Sequence, residues 1–306
     1  MFIYILSMEL IIVGSVAFDS IQSPYGKKEK LLGGSAVYSS IAASILSKSG
    51  IVGVVGDDFD KKYYAFLNSK KINTSGLMQA NGKTFNWGGR YEEEMSEAYT
   101  LHTHLNVFEE FNPKINMEYR NAEFLFLANI DPILQLSVLK QMKNLKFSLL
   151  DTMNFWIETK KEQLLEVIKK VTAISINDTE ARQLSGEWNL IKAGLILQKM
   201  GPELVLIKKG ENGTIIFYRN NYFIAPAYPT TNTKDPTGAG DSFAGGFLSY
   251  LAKNKTINFG SIKKATVWGN MIASFTVEGF GVEKLEQLTK KDVEKKIEEF
   301  KKLISF

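Results

Sequence analysis

The 306-residue chain contains no cysteine, two histidines and seven prolines. Without thiols, the chain has no disulfides, thiol nucleophiles or thiolate metal sites, and a reducing compartment is permitted. The opening MFIYILSM is apolar but short, it has no basic leader, and Glu9 follows it. A signal peptide or membrane span is therefore not expected there, and Met8 stands as an alternative start. An excess of one charge is also missing, since 37 basic against 33 acidic residues leave a net charge of +4. That small excess sits in short runs such as KKEK and KKDVEKK. No basic stripe broken by aromatics is present, so neither nucleic acid nor a membrane is an expected partner. A GxxxxGK loop is absent, which excludes P-loop chemistry. GSVAFD rather than GxGxxG follows the first apolar run, which weakens dinucleotide binding.

What is present is a globular composition, 44% hydrophobic and 23% charged, able to bury a sizeable core. The length suits a single domain over 1–306. Short apolar runs (LIIV, IVGVV, FLFL, FSLL, AISI, LVLI) alternate with helical patterns at 36–48, 59–69, 133–141, 161–169 and 190–199. Continuous runs predict strands buried on both faces, and the alternation predicts an α/β sandwich with a mostly parallel sheet. Ligands of such sheets lie beyond the carboxyl ends of the strands, so the loops after LIIV, FSLL, AISI and LVLI are the places to search. The segment 84–108, TFNWGGRYEEEMSEAYTLHTHLNVF, breaks this rhythm. Leu101, Thr103, Leu105 and Val107 alternate there with His102, His104, Asn106 and Phe108. Two or more strands outside the main sheet are expected, forming a small β lid that excludes water or a hairpin that pads the core or pairs two subunits. Val293, Ile297, Phe300 and Ile304 share one face of a closing amphipathic helix.

One stretch carries chemistry: DPTGAGDSFAGGF, residues 235–247. Ala244, Phe247, Leu248 and Leu251 fall on one helical face, so Gly238, Ala239 and Gly240 form the turn that opens a helix, and Asp241 sits in its first residues. Amide N–H groups there have no internal partner, and small side chains let an anion approach them at the positive end of the helix dipole. The Asp241 carboxylate beside them can take a proton from an alcohol. An anion hole next to a base is what phosphoryl transfer to a hydroxyl requires. Aspartate and glycine are also ordinary capping and turn residues, but the dense combination, with Asp235 six positions upstream, goes beyond capping.

This stretch is close to the C-terminal signature of the ribokinase-type (PfkB-type) family of carbohydrate and nucleoside kinases, and GGSAVYSSIAASILSKSG with VGVVGDDF resembles its N-terminal signature. The resemblance spans about 10–281. It implies a ribokinase-like three-layer sandwich with a β lid, and a cytoplasmic enzyme that moves the γ-phosphoryl group of ATP to a sugar hydroxyl. Asp241 would be the base and Gly238, Ala239 and Gly240 the anion hole. A nucleoside (adenosine-like) kinase is the alternative acceptor class, and a non-catalytic nucleotide or sugar sensor is the alternative of another kind. The resemblance also assigns substrate hydroxyls to Asp19, Gly33 and Gly34. It assigns Mg²⁺ to Asn177 and Glu180 of NDTE, which equally spell a capping box. Phosphate contact falls to Lys208, Gly210 and Gly213 of KKGENG. Asp235 and Thr237 lie on the cofactor side of the loop, with K⁺ near Asp235 in some members.

Departures from the family pattern occur at Ala17, Ser35, Tyr38 and Lys208, where ribokinases carry asparagine, lysine, asparagine and threonine; the first three turn the expectation away from ribose. Tyr38, with Phe85, Trp87, Tyr91 and Tyr99 of the lid, suits a nucleobase. Arg90 is expected to meet substrate under the lid. Asn270, Ala273 and Gly279 suit an adenine slot, and Asp151 and Asn154 face the same cleft. His102 and His104 share a strand face but have no acid partner, so they read as lid surface or substrate contact rather than a metal site.

Overall fold

The continuous apolar runs become strands because both of their faces are covered. A computed structural model describes residues 8–95 and 97–305; the opening segment, and with it the choice between Met1 and Met8, lies outside them. In chain order the strands are β1 (Leu10–Val13), β2 (Ala17–Ser23), β3 (Gly26–Gly33), β4 (Ser49–Val55), β5 (Ile72–Gln79), β6 (Phe85–Arg90), β7 (Tyr99–His104), β8 (Phe124–Leu127), β9 (Phe147–Asp151), β10 (Ala173–Asn177), β11 (Leu204–Lys208), β12 (Thr214–Tyr218) and β13 (Asn221–Ala225). Nine of them form the main sheet, in the order β13-β12-β11-β10-β9-β8-β1-β4-β5. The run from β11 to β5 is parallel, and β12 and β13 add antiparallel to one edge.

Successive side chains of a strand point to opposite faces, and each face has its own apolar cluster. Leu10, Ile12, Phe124, Phe126 and Phe147 pack against Phe243, Phe247 and Leu251 of the helix Ala239–Asn254. Ile11, Val13, Leu125, Leu127 and Leu150 face the other way, toward Leu164, Val167 and Leu197. Among the described residues, no helix is long and apolar enough to cross a membrane.

The lid is larger than the segment 84–108. It is a four-stranded sheet, β3-β2-β6-β7, in which β2 pairs parallel with β6. Half of it therefore comes from 17–33. The KKEK stretch of β3 hides its strand character because its side chains are exposed, leaving no apolar alternation to read. The β7 strand ends at His104, and Asn106–Phe108 is a short 3-10 turn rather than more strand. On the outer edge, β7 exposes Tyr99 and Leu101.

The closing helix Lys290–Ile304 buries Val293 and Phe300 as the pattern predicts, while Ile304 is exposed. It also buries Lys296, whose ammonium donates to Ser274 Oγ at 3.0 Å and Glu278 Oε1 at 3.1 Å and lies over the Phe275 ring at 3.5 Å. Lys296→Ala leaves Glu278 without its cation. It is expected to lower unfolding free energy by about 2 kcal/mol, read by denaturant titration. A loss under about 0.5 kcal/mol, the level of an ordinary surface change, would contradict the pairing.

Candidate active site

Strand parity assembles the first part of the site. Ser175 of β10 lies opposite Asp151 of β9, and Asn177 lies opposite Lys208 of β11. Asp151, Ser175, Asn177 and Lys208 thus point to one face at the carboxyl end of the sheet. Lys208 Nζ reaches across β10 to Asp151 Oδ2 at 3.2 Å, with both groups largely buried.

The helix Ala239–Asn254 begins on that same face. A Cβ placed on Gly240 would lie 3.1 Å from Lys208 Nζ. Gly240 and Asp241 are the second and third residues of this helix, so their N–H groups have no helical acceptor. An ammonium and the positive end of a helix dipole repel each other, and an anion between them relieves that repulsion. Gly238 opens the helix with φ at 74°, and a Cβ there would strike the Tyr38 ring at 2.3 Å.

The acids around this point are crowded. Burial, then the charge of Asp151, push Asp241 up to about 7; Lys208 opposes the rise and Asp19 adds to it. Burial also lifts Asp19 to about 7, against the N–H of Gly34, with Asp235 contributing. Glu180 reaches about 7 by burial, with Lys208 opposing and Asp151 adding. Burial works against the Lys208 ammonium, yet Asp151, Glu180 and Asp241 together hold its proton above the usual range.

Asp19 belongs to β2 of the lid rather than to a loop after β1. The glycine pair makes room for that carboxylate: a Cβ on Gly33 would lie 1.9 Å from Asp19 Oδ2, and the Gly34 N–H points at the same oxygen from 3.4 Å. Tyr38 is only 1% exposed. It is a spacer beneath Gly238, not a ring open for stacking.

Arg90 does not turn under the lid. It is exposed, pairs with Glu92 at 2.9 Å and lies over Tyr99. Its neighbour Tyr91 turns inward instead, buried, with its hydroxyl 3.0 Å from Thr237 Oγ1. Alternation along WGGRY separates Trp87, Gly89 and Tyr91 from Gly88 and Arg90, and the register of Trp87 with Asp19 puts the first three on the Asp19 side. A Cβ on Gly89 would meet the Trp87 indole at 2.2 Å, so that ring lies flat across the strand.

Asp235 is a clamp. One oxygen accepts the Thr237 N–H and the other the Gly281 N–H, each at 2.9 Å. Asn177 and Glu180 form the reciprocal capping box: Asn177 Oδ1 accepts the Glu180 N–H at 2.7 Å, and Glu180 Oε2 accepts the Asn177 N–H at 2.8 Å. Gly213 is required by its turn, since φ is 79° and a Cβ would lie 2.1 Å from the Ala225 carbonyl oxygen; Gly210, with φ at 53°, is also left-handed but faces open space.

Asn270 has both ends of its amide engaged, accepting from the Thr214 hydroxyl at 2.9 Å and donating to the Pro226 carbonyl at 3.1 Å. Ala273 packs on the core beside it, and Gly279 sits against Lys284. Asn270 thus ties the helix Phe259–Thr276 to Thr214 and Pro226. Asn154 begins a short helix just past Asp151. His102 Nε2 bonds Asn86 Oδ1 at 2.7 Å and its ring stacks on His104. Among the described residues, no group of three or more His, Cys, Asp or Glu side chains is arranged to hold a metal ion.

Asp241, the Gly238–Gly240 turn, Lys208, Asp151, Glu180 and Asp19 thus form one electrostatically coupled group, to which Tyr91 is joined through Thr237. Known proteins share this architecture. The chain is 28% identical to a cytidine kinase of Thermococcus kodakarensis, over 82% of its own length and 91% of the relative's. It is 27% identical to a nucleoside kinase of Methanocaldococcus jannaschii, over 86% and 83%. The crystal structure of the Methanocaldococcus jannaschii nucleoside kinase, a ribokinase-family protein, superposes with a TM-score of 0.76 over 96% of this chain and 99% of that one. The pattern of the pfkB family of carbohydrate kinases matches residues 10–288. With that match over most of its length, the chain belongs to the pfkB carbohydrate kinase family, phosphotransferases that act on an alcohol.

Proposed function

We propose that the protein is a nucleoside kinase, transferring the γ-phosphoryl group of ATP to a nucleoside hydroxyl. The observation that carries the transfer is the convergence of Lys208 and the first N–H groups of the helix Ala239–Asn254 beside Asp241. Support for a nucleoside over a free sugar comes from the two relatives aligned over most of both chains, a cytidine kinase and a nucleoside kinase.

In this reading Asp19 accepts hydrogen bonds from acceptor hydroxyls, and Asp241 takes the proton of the attacking one. The Gly240 and Asp241 N–H groups and Lys208 hold the charge that develops on the moving phosphoryl oxygens. Lys208 leaves part of its pairing with Asp151 to do so. The lid keeps water from competing as acceptor. With no cluster of three acids arranged to hold a metal among the described residues, a magnesium ion would be held through its water shell, by Asp151 and by the Glu180 oxygen left outside the capping box. When bound, that ion supplies charge neutralisation between the phosphates. The exposed β7 edge, with Tyr99 and Leu101, supports pairing of two copies through the lid.

The test is acceptor-dependent ADP formation with ATP and Mg²⁺ across pyrimidine and purine nucleosides and free sugars. Nucleosides are expected to give the highest kcat/KM. Turnover with sugars alone would overturn the acceptor class, and ATP binding without turnover on any acceptor would favour a sensor.

A further inference from the structure

The lid touches the catalytic loop at few polar points, and one of them lies beside the anion hole. Tyr91 leaves the end of β6 with its N–H on the Gln22 carbonyl at 2.8 Å, which fixes its backbone to the lid sheet. Its ring packs with Ile21 and Phe280 and is 8% exposed. From there the hydroxyl crosses to Thr237 Oγ1 at 3.0 Å. Thr237 in turn has its N–H on Asp235, and the next residue is Gly238, whose left-handed conformation aims the first N–H groups of the helix. Around this contact, Ser23 Oγ of the lid donates to the Lys234 carbonyl at 2.7 Å, and Leu31 lies against Gly281. Two hydrogen bonds thus cross from the lid sheet to the 234–237 segment, and that of Tyr91 is the one next to the anion hole.

We propose that Tyr91 is a positioning residue that ties the lid to the Thr237–Gly238 turn, so that the anion hole holds its shape only while the lid is down. The inference rests on the kinase reading for its kinetic consequence, not for its geometry. Coupling of this kind makes phosphoryl transfer wait for an acceptor under the lid, because with the lid raised the turn loses the bond that orients Gly240 and Asp241. Water reaching an open site then meets an incomplete hole.

Tyr91→Phe keeps the ring and its packing and removes only the hydroxyl; Thr237→Val keeps the shape of its partner. Each is expected to lower kcat roughly tenfold, with acceptor KM changed less than about threefold because Asp19 is untouched. The double variant is expected to be no slower than either single, the mark of a shared interaction. ATP hydrolysis without acceptor is expected to rise as a fraction of total turnover. Amide hydrogen exchange at 237–241 is expected to quicken in Tyr91→Phe, while exchange there stays at the wild-type rate in the control Tyr222→Phe, an exposed ring on the edge strand β13. Multiplying losses in the double variant, or unchanged exchange at 237–241 in Tyr91→Phe, would overturn the proposal. If the wild-type protein transfers phosphate to no acceptor, the kinase reading fails on that result, and exchange at 237–241 still decides the tie by itself.

Discussion

Replacing Asp241 by asparagine is expected to reduce kcat by about 10³-fold, while ATP affinity measured by calorimetry holds or improves. In the proposed reaction the carboxylate takes the acceptor's proton, and asparagine cannot. Removing its negative charge also relieves repulsion toward phosphates, so nucleotide binding has no reason to weaken. The wild-type pH profile carries the same assignment. Burial and the neighbouring Asp151 lift Asp241 to about 7 from an ordinary value of 3.8, and a base works only when deprotonated. The kcat/KM is therefore expected to rise with pH through about 7 and level above it, falling by roughly tenfold or more per unit below. Asp19 is lifted to about 7 as well, and it too must be charged to grip a hydroxyl, so the acid limb should be steeper than one proton requires. Turnover of Asp241→Asn near the wild-type rate, or an acid limb near 4, would refute the base.

Lys208→Met is the second large effect. It removes the cation that meets the helix N-terminus, and kcat/KM for ATP is expected to fall by about 10²- to 10³-fold. Asp151 and Glu180 then face the phosphates uncompensated, in a poorly hydrated site where repulsion is little screened. The same change moves the pH profile in a defined direction. The Lys208 charge lowers the Asp241 pKa, so its removal raises that pKa and shifts the acid limb to higher pH. Lys208→Arg, which keeps the charge, should restore part of the rate and leave the limb near its original position. A Met variant with wild-type kcat/KM and an unmoved limb would show that the lysine only pairs with Asp151.

The parts of the fold that were legible in the sequence are those whose physics is local. The runs LIIV, FLFL, FSLL, AISI and LVLI predicted buried parallel strands, and each is a strand buried along nearly its whole length. The DPTGAGD turn was equally readable, because a helix start with small residues and an acid announces itself within a few positions. The lid was only half legible. Its β3 strand is charged and exposed, and β2 pairs in parallel with β6, a partner that lies far along the chain and leaves no mark in either segment. Arg90 drew attention because of its charge, yet strand parity sends it outward and Tyr91 inward. The bridge that the Asn270 amide makes between Thr214 and Pro226 joins positions far apart in the chain, so spacing alone did not announce it.

The sequence by itself determined the class of chemistry, since a small-residue helix start beside an acid needs only neighbouring residues to exist. The tertiary structure decided which groups join it. Lys208 and Asp151 come from two strand ends and Glu180 from the first turn of the helix after a third strand, and Asp19 and Tyr91 come from a lid assembled out of two distant hairpins. Their charges take on meaning only together: burial and mutual repulsion raise the carboxylates, and the same carboxylates hold the proton on Lys208. Such coupling depends on distances across space, which residue spacing along the chain does not encode.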